Sequence, residues 1–301
     1  MKTLLAYLRL MRPPNIVTAV ADILAGWSIA IHFIGKNDIF FFDLQTYRLS
    51  FLILATIGLY GGGVVMNDVA DYELDKIERP ERPIPSGLAS RMGATILGIG
   101  LLVSGIVCAW MVSLLAGEIA SAVAILALLY DFFGKHHKFF GPLNMGICRG
   151  GNLLLGMCVT PYLNYVWPLA ILPVIYIAAI TMISRGEVVG GNKKAILLAG
   201  LIYLFVIAGL MVIALFIGHP KNIFIVDAFV LLFASLIYQP LFAAYTTPDP
   251  IHIRQAVKAG VISLIVMDAA LSACMVDWKY ALIVLVLLPI SLLLAKAFAV
   301  T

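Results

Sequence analysis

The chain has 301 residues, of which 62% are hydrophobic and only 12% are charged. Soluble domains are about 45–50% apolar and about 25% charged, so this composition excludes a soluble globular protein as well as a disordered chain. The four cysteines show no CxxC spacing, which argues against a disulfide scaffold. The net charge of +4 comes without a basic helix or an aromatic-interleaved basic patch, so we expect no nucleic-acid partner.

Long apolar segments follow one another along the whole chain. A helix needs roughly 20 apolar residues to span about 30 Å of hydrocarbon, and the sequence contains nine or ten such segments. The segments are continuous rather than alternating, which favours helices over a β-barrel. The sequence therefore predicts an all-α, polytopic membrane helix bundle that forms one integral-membrane domain over residues 1–301. The predicted spans lie near residues 15–34, 50–70, 94–116, 118–133, 142–160, 166–184, 195–217, 223–246, 256–275 and 279–297.

The N-terminal segment MKTLLAYLRLMRPPN predicts an interfacial amphipathic helix that ends at Pro13 and Pro14, rather than a cleaved signal peptide. Cationic residues are retained on the cytoplasmic side of a membrane. The N-terminus and the even-numbered loops together carry fourteen Lys and Arg residues, whereas the odd-numbered loops carry four. We therefore expect the N-terminus to be cytoplasmic, with a bacterial inner membrane as the location.

Charged residues appear abruptly where the second predicted span ends. With a helical rotation of about 100° per residue, Asp68, Asp71 and Asp75 fall within an arc of about 60°, and Asn67 lies beside them. Like charges at these spacings repel each other, so such a group needs a counter-charge. Mg²⁺ prefers oxygen ligands and is typically held by one or two carboxylates together with substrate phosphates. Two interpretations are open at this point: a Mg²⁺ site that binds a diphosphate, or a solvated acidic helix end.

A basic, turn-forming segment follows the acidic group directly. Arg79 and Arg82 alternate there with Pro80, Pro83 and Pro85. Guanidinium groups bind phosphate oxygens bidentately. Groups suited to a metal and groups suited to phosphate therefore adjoin in the sequence, which favours the Mg²⁺–diphosphate interpretation.

These two segments together resemble the first aspartate-rich motif of the UbiA superfamily of intramembrane prenyltransferases, NDxxDxxxD followed by RPxRPxxSG. Residues 67–75 read NDVADYELD here, and residues 79–87 read RPERPIPSG. The likeness extends to RPPN at residues 12–15 and to Lys135, which matches a family position near the diphosphate. It implies a helical bundle around an intramembrane cavity that is open to lipid.

The resemblance implies that the protein is an enzyme, a prenyltransferase. It would bind a prenyl diphosphate donor through Mg²⁺ and transfer the isoprenyl chain to an aromatic, quinone-type or other lipophilic acceptor within membrane lipid. The residues assigned to the metal are Asn67, Asp68, Asp71 and Asp75. The residues assigned to the diphosphate are Arg79, Arg82, Lys135 and Arg149. The candidate catalytic residues are Asp68, Asp71 and Glu187.

A second aspartate motif, of the form DxxDxxGD, is usual in this family after the sixth span. Here Ser184 stands in place of the first Asp, Glu187 in place of the second and Gly191 in place of the last. Glu187 is then a base or an acceptor contact, or it forms a local ion pair with Arg185. Residues 184–192 also resemble the EboC-like branch of the superfamily. If transfer chemistry has been lost, the same fold would bind or transport an amphiphilic metabolite, and this is the alternative function.

Ionisable residues inside a span mark candidate functional sites, because their burial costs about 2.5–3.5 kcal/mol on insertion scales. Arg149 lies within the fifth predicted span and needs an anion. We favour a substrate diphosphate over a structural pair with Asp131 or another buried acid. Asp22 and Asp268 either face the cavity or pair with basic residues between helices. The residues expected to line the cavity or to contact the acceptor are Asn15, Asp22, Asn144 and Asn152.

Overall fold

The computed structural model describes residues 2–34, 40–135, 137–188 and 190–298. All regular secondary structure within these ranges is helical. Nine of the described helical segments are long and apolar enough to cross a membrane. The predicted all-α, polytopic membrane fold is therefore confirmed.

The elements follow in chain order. They are α1 (Lys2–Leu10), α2 (Pro13–Ile34), α3 (Phe40–Ala70), α4 (Tyr72–Glu78), α5 (Arg91–Trp110), α6 (Leu114–Leu129), α7 (Phe140–Met157), α8 (Leu163–Val166), α9 (Ile171–Ser184), α10 (Lys193–Phe216), α11 (Ile223–Thr246), α12 (Pro250–Met275), α13 (Trp278–Leu285) and α14 (Leu287–Phe298). A π-helical turn, Tyr130–Gly134, extends α6. Short 3₁₀ turns precede α9 at Trp167–Ala170 and α11 at Pro220–Asn222.

The fifth predicted span, residues 142–160, corresponds to α7 and differs from the other spans. This helix has 18 residues, and it is not among the nine described segments that are apolar enough to cross a membrane. Asn144, Arg149 and Asn152 lower its hydropathy, and all three are buried. Helix α7 packs against α2, α6 and α9, so its polar side chains face other helices rather than lipid.

The N-terminal amphipathic helix exists as predicted, whereas its position at a membrane surface stays a prediction. Ala6 and Leu10 of α1 are buried in an apolar cluster with residues of α3 and α5, while Leu4 is exposed on the opposite face. The chain turns at Arg12, whose φ of 49° is in the left-handed region, and α2 then begins at Pro13. The turn places Arg12 beside the end of α3.

Helix α2 lies at the centre of the bundle, in contact with α3, α7, α12 and α14. It approaches α7 closely, because a Cβ atom added to Gly156 would lie 2.6 Å from the carbonyl oxygen of Ile23 and 3.0 Å from the Cα of Gly26. Small residues at helix interfaces in membranes permit such approaches. The crossing brings the polar residues of α7 against α2.

We predict that Gly156→Ala lowers the thermal stability of the protein, because the added methyl group forces α2 and α7 apart. Overpacking of this kind costs about 1–3 kcal/mol. The matched control is Gly100→Ala on α5, where an added Cβ meets no atom within 4 Å. Unfolding midpoints in detergent, followed by size-exclusion fluorescence, measure both variants. Equal midpoints for the two variants would contradict the close packing of α2 on α7.

Candidate active site

A chamber of about 290 Å³ lies inside the bundle between α3, α6, α7, α9 and α12. This volume is at the lower end of the range for ligand pockets, about 300–1,000 Å³. The wall is mainly apolar and carries polar residues at both ends. Asn67, Asp131 and Ser184 line one end, whereas Thr56 and Asn152 line the other. Thr56 and Asn67 are ~16 Å apart along α3 at 1.5 Å per residue.

The aspartate motif crosses a break between two helices. Helix α3 ends at Ala70 and α4 begins at Tyr72, so Asp71 is at the junction. The N–H of Asp71 nevertheless donates to the carbonyl of Asn67 at 2.9 Å, and the N–H of Asp75 donates to the carbonyl of Asp71 at 2.8 Å. The i to i+4 pattern thus continues through the break. A single continuous helix was the expectation, and the break leaves the helical phase of the motif intact.

Two arginines lie against the carboxylates of Asp68 and Asp75. Arg12 Nη2 donates to Asp68 Oδ1 at 2.7 Å. Arg82 Nη1 donates to Asp75 Oδ2 at 2.7 Å and to Asp68 Oδ1 at 3.3 Å. The negative charge of Asp68 raises the pKa of Arg12, and burial raises the pKa of Asp75 against the opposing effect of Arg82. One nitrogen contacts both carboxylates, so a single cation at this position bridges them.

The remaining motif residues, Asp71 and Asn67, contact the turn that extends α6 and the residue directly after that turn. Lys135 Nζ forms an ion pair with Asp71. Asn67 Nδ2 donates to Asp131 Oδ1 at 2.9 Å. Asp131 and Asn67 both line the chamber, whereas Asp71 is outside its lining. The motif therefore lies next to one end of the chamber, and Asn67 is its residue in the chamber wall.

The donor set at this end fits a magnesium ion shared with a phosphate ligand. Within the described ranges, no three His, Cys, Asp or Glu side chains converge as an all-protein metal site. Mg²⁺ is usually held by one or two carboxylates plus substrate phosphates. Asp68 and Asp75 supply such a pair, since one cationic nitrogen already contacts both.

Glu187 connects the second motif to the first. Its Oε2 lies 3.6 Å from Arg79 Nη2, and its carbonyl accepts a hydrogen bond from Arg254 Nε at 3.1 Å. Burial raises the pKa of Glu187, and the charge of Arg79 opposes the shift. Glu187 forms its ion pair with Arg79 and not with Arg185, whose Nη2 donates to the carbonyl of His137 at 2.5 Å. Glu187 therefore lies on the same side of the bundle as the aspartates.

The altered first position of the second motif contributes a hydroxyl group instead of a carboxylate. Ser184 lines the chamber, and its Oγ donates to the carbonyl of Thr181 at 2.9 Å. The site thus carries three carboxylates from the first motif and one, Glu187, from the second.

Arg149 lies apart from the aspartates, and its expected contact with the diphosphate stays a prediction. Its Nε is 2.6 Å from Asp22 Oδ2, so its partner is the alternative buried acid rather than Asp131. Its guanidinium lies 5.9 Å from the ring centroid of Tyr60, and Tyr60 precedes Asn67 by ~10 Å along α3. Arg149 therefore belongs to the inner part of the chamber.

The four residues expected to line the cavity have different positions. Asn152 lines the chamber, and Asp22 lies behind it, fully buried. Asn144 is buried outside the lining and donates to the carbonyl of Leu126 at 3.1 Å. Asn15 is also outside the lining. Asn152 is the one of the four in the chamber lining, and the acceptor or cavity role of all four stays a prediction.

Arg12 is the main site residue that the sequence analysis did not select. It lines the chamber and contacts Asp68, and its left-handed backbone costs of order 1–3 kcal/mol. The RPPN segment contains the relevant signal, because two prolines fix the start of α2 directly after Arg12. Arg12 equally fits the set of cationic residues expected on the cytoplasmic side, so the sequence alone does not distinguish it.

Comparison with known families agrees with this geometry. The sequence model of the UbiA prenyltransferase family matches residues 23–185, which is more than half of the chain. The chain belongs to the UbiA prenyltransferase family. The matched range contains the first aspartate motif, Lys135 and Arg149, and it ends directly after Ser184.

Curated proteins and solved structures are also similar to the chain. The chain is 33% identical over 153 residues to digeranylgeranylglyceryl phosphate synthase from Methanococcoides burtonii, a match that covers 51% of this chain and 54% of that protein. The chain thus spans about half the length of this curated relative. A structure described as that of a digeranylgeranylglyceryl phosphate synthase in membranes aligns with a TM-score of 0.64 and 21% identity, over 92% of this chain and 99% of the other.

A UbiA homologue from Archaeoglobus fulgidus, bound to GPP and Mg²⁺, aligns with a TM-score of 0.62 and 13% identity over 89% of this chain and 99% of the other. Similarity at this level establishes the fold. The two relatives with named sources are archaeal, so they give no support to a bacterial inner membrane. The likeness of residues 184–192 to the EboC-like branch stays a prediction.

We predict that the Arg82–Asp75 pair is coupled more strongly than the Arg79–Glu187 pair. The first pair has a 2.7 Å contact and an Asp75 side chain that is only 6% exposed, and contacting groups within a network couple by about 0.5–3 kcal/mol. The second has a 3.6 Å contact between side chains that are 31% and 22% exposed, for which less than about 1 kcal/mol is expected. Alanine double-mutant cycles on unfolding in mixed micelles measure both couplings. A larger coupling for Arg79–Glu187 would contradict the geometry.

Proposed function

We propose that the protein is a Mg²⁺-dependent prenyltransferase that moves an isoprenyl chain from a prenyl diphosphate to a lipophilic acceptor within the membrane. The observation that carries the proposal is the cation-bridged pair of Asp68 and Asp75 at the polar end of an apolar chamber. A prenyl diphosphate has a highly charged head and an apolar tail. This site places a charged region suited to the head next to an apolar chamber suited to the tail.

The charged end of the chamber binds the head group in this proposal. Asn67, Asp68, Asp71 and Asp75 would hold Mg²⁺, which when bound stabilises negative charge on the departing diphosphate. Arg79, Arg82 and Lys135 supply positive charge to the phosphate oxygens, and the two arginines can do so bidentately. Arg12 extends this group, because it contacts Asp68 from the chamber side.

The apolar wall protects the reacting allylic chain from water. Leu59, Val64 and Ile177 are among the residues that line it, and exclusion of water prevents hydrolysis of reactive intermediates. The C–O bond of the donor breaks with its electron pair on the diphosphate, and the acceptor forms the new bond. Glu187 is the proposed recipient of the proton released by the acceptor, since burial raises its pKa and so makes its carboxylate a better proton acceptor.

The membrane arrangement is part of the proposal. Residues 1–301 form one integral-membrane domain with a cytoplasmic N-terminus, which places the aspartate motif at the cytoplasmic side. Membrane lipid then surrounds the bundle, and both the prenyl donor and the lipophilic acceptor reach the site from it.

We predict that Asp68→Ala lowers turnover by about 100-fold or more, because a lost metal interaction removes several kcal/mol of charge stabilisation. Purified protein is supplied with radiolabelled geranyl, farnesyl and geranylgeranyl diphosphates and a panel of acceptors. The panel contains phenols, quinones and geranylgeranylglyceryl phosphate, the last because a relative is named for the digeranylgeranyl form. EDTA is expected to abolish the same activity, and added Mg²⁺ to restore it.

The matched control is Glu73→Ala in the same motif. Glu73 has a side chain that is 72% exposed and forms an ion pair with Lys76, away from the chamber. Its removal is expected to leave turnover unchanged. Turnover that resists both EDTA and Asp68→Ala would rule out the metal-dependent mechanism.

The alternative function is binding or transport of an amphiphilic metabolite without transfer. The observation that favours it is the second motif, where Ser184 provides a hydroxyl group and only Glu187 provides a carboxylate. Saturable binding of every donor without turnover would support this alternative over the enzyme.

A further inference from the structure

A second polar cluster lies at the inner end of the chamber, remote from the aspartate motif. Its members are Asp22 on α2, Thr56 on α3, Arg149 and Asn152 on α7, and Asp268 on α12. All five residues are buried, and three of them line the chamber: Thr56, Arg149 and Asn152. The proposed chemistry at the aspartate end makes no use of this cluster.

The guanidinium group of Arg149 is held against α2 on one side. Its Nε lies 2.6 Å from Asp22 Oδ2, and its Nη2 donates to the carbonyl of Thr18 at 2.6 Å. The side chain is only 6% exposed, yet it forms part of the chamber wall. Within the part of the chain that the structure describes, Nη1 makes no hydrogen bond. Nε lies against Asp22 in the ion pair although it makes no hydrogen bond of its own, so Nη1 is the donor that remains for a molecule in the chamber.

Asn152 has no such free group, because its side chain is fully engaged. Its Nδ2 donates to the carbonyl of Ala19 and to Asp22 Oδ2, both at 2.8 Å. Its Oδ1 accepts from Thr56 Oγ1 at 2.6 Å. Asn152 thus fixes Asp22 in place, and Asp22 in turn fixes Arg149.

The charge balance of the cluster follows from its burial. Asp22 and Asp268 are both fully buried. An uncompensated buried charge is strongly unfavourable, and Asp22 compensates Arg149 through their ion pair. The positive charge of Arg149 is therefore already offset before any ligand is bound.

We infer that Arg149 Nη1 recognises a neutral oxygen, a hydroxyl or a carbonyl, on the acceptor molecule, with Asp22 as a positioning residue. The assignment of this oxygen to the acceptor rests on the proposed function. An isoprenyl tail has no oxygen to satisfy a buried donor, and the diphosphate is bound at the other end of the chamber. An anionic group at the inner end would be buried beside a guanidinium that Asp22 already neutralises.

The test uses three probes with the same apolar body, namely 4-octylphenol, octylbenzene and 4-octylbenzoate. Binding to the protein in nanodiscs is measured by calorimetry and corrected by empty nanodiscs. The wild type is expected to bind 4-octylphenol about tenfold more tightly than octylbenzene, as one hydrogen bond provides, and to disfavour 4-octylbenzoate. Equal binding of the phenol and the hydrocarbon would overturn the inference.

Variants separate recognition from structural support. The double variant Asp22→Asn with Arg149→Met removes both charges together, and it is expected to lose the preference for the phenol while it still binds octylbenzene. Asp22→Asn alone leaves Arg149 positive, so the preference is expected to change in favour of 4-octylbenzoate. Asp268→Asn, which keeps the shape of a side chain that does not line the chamber, is expected to keep the wild-type preferences. An unchanged phenol preference in the double variant would contradict the role of Arg149.

These binding measurements test the recognition site independently of the turnover assay. Phenol selectivity in a protein that transfers no prenyl group would contradict the proposed function and leave the recognition site intact. Turnover with no selectivity among the three probes would contradict the recognition site and leave the proposed function intact.

Discussion

The site depends on the compensation of negative charge at the end of α3. Asp68 and Asp75 are nearly buried beside each other at the end of an apolar bundle, and they are tolerated there only with cations in contact. Arg12 reaches them from the start of α2, and Arg82 reaches them from the turn after α4. These ion pairs hold the start of α2, the end of α3 and the turn after α4 together. The carboxylates of Asp68 and Asp75 are already paired with arginines. A ligand with a metal ion and phosphates would therefore exchange partners with existing ion pairs.

The helix break at Asp71 leaves the aspartate motif in helical register. A new helix begins at Tyr72, and the backbone hydrogen bonds of Asp71 and Asp75 continue across the junction. The helical phase is preserved, and Asp75 is buried against Arg82 rather than exposed to solvent.

The sequence predicts the parts of the molecule that depend on local pattern. Helix positions follow from apolar segments, since each span must satisfy its own backbone in lipid. The aspartate face follows from helical periodicity over nine residues, 67–75. The partners of these groups depend instead on helix crossings. Arg149 and Asp22 meet because α2 and α7 approach at Gly26 and Gly156, and nothing in the sequence near Arg149 identifies its counter-ion.

The low hydropathy of α7 then has a single physical explanation. A helix with an arginine and two asparagines is unfavourable in lipid, but here α2, α6 and α9 pack around it, and its polar groups find partners on α2, α3 and α6. The chamber consequently has a charged end built from loops and helix ends, and a second polar end built from the interior of helices. The proposed transfer between two amphiphiles would use this asymmetry, with the charged head of one substrate at the first end and the polar group of the other oriented at the second.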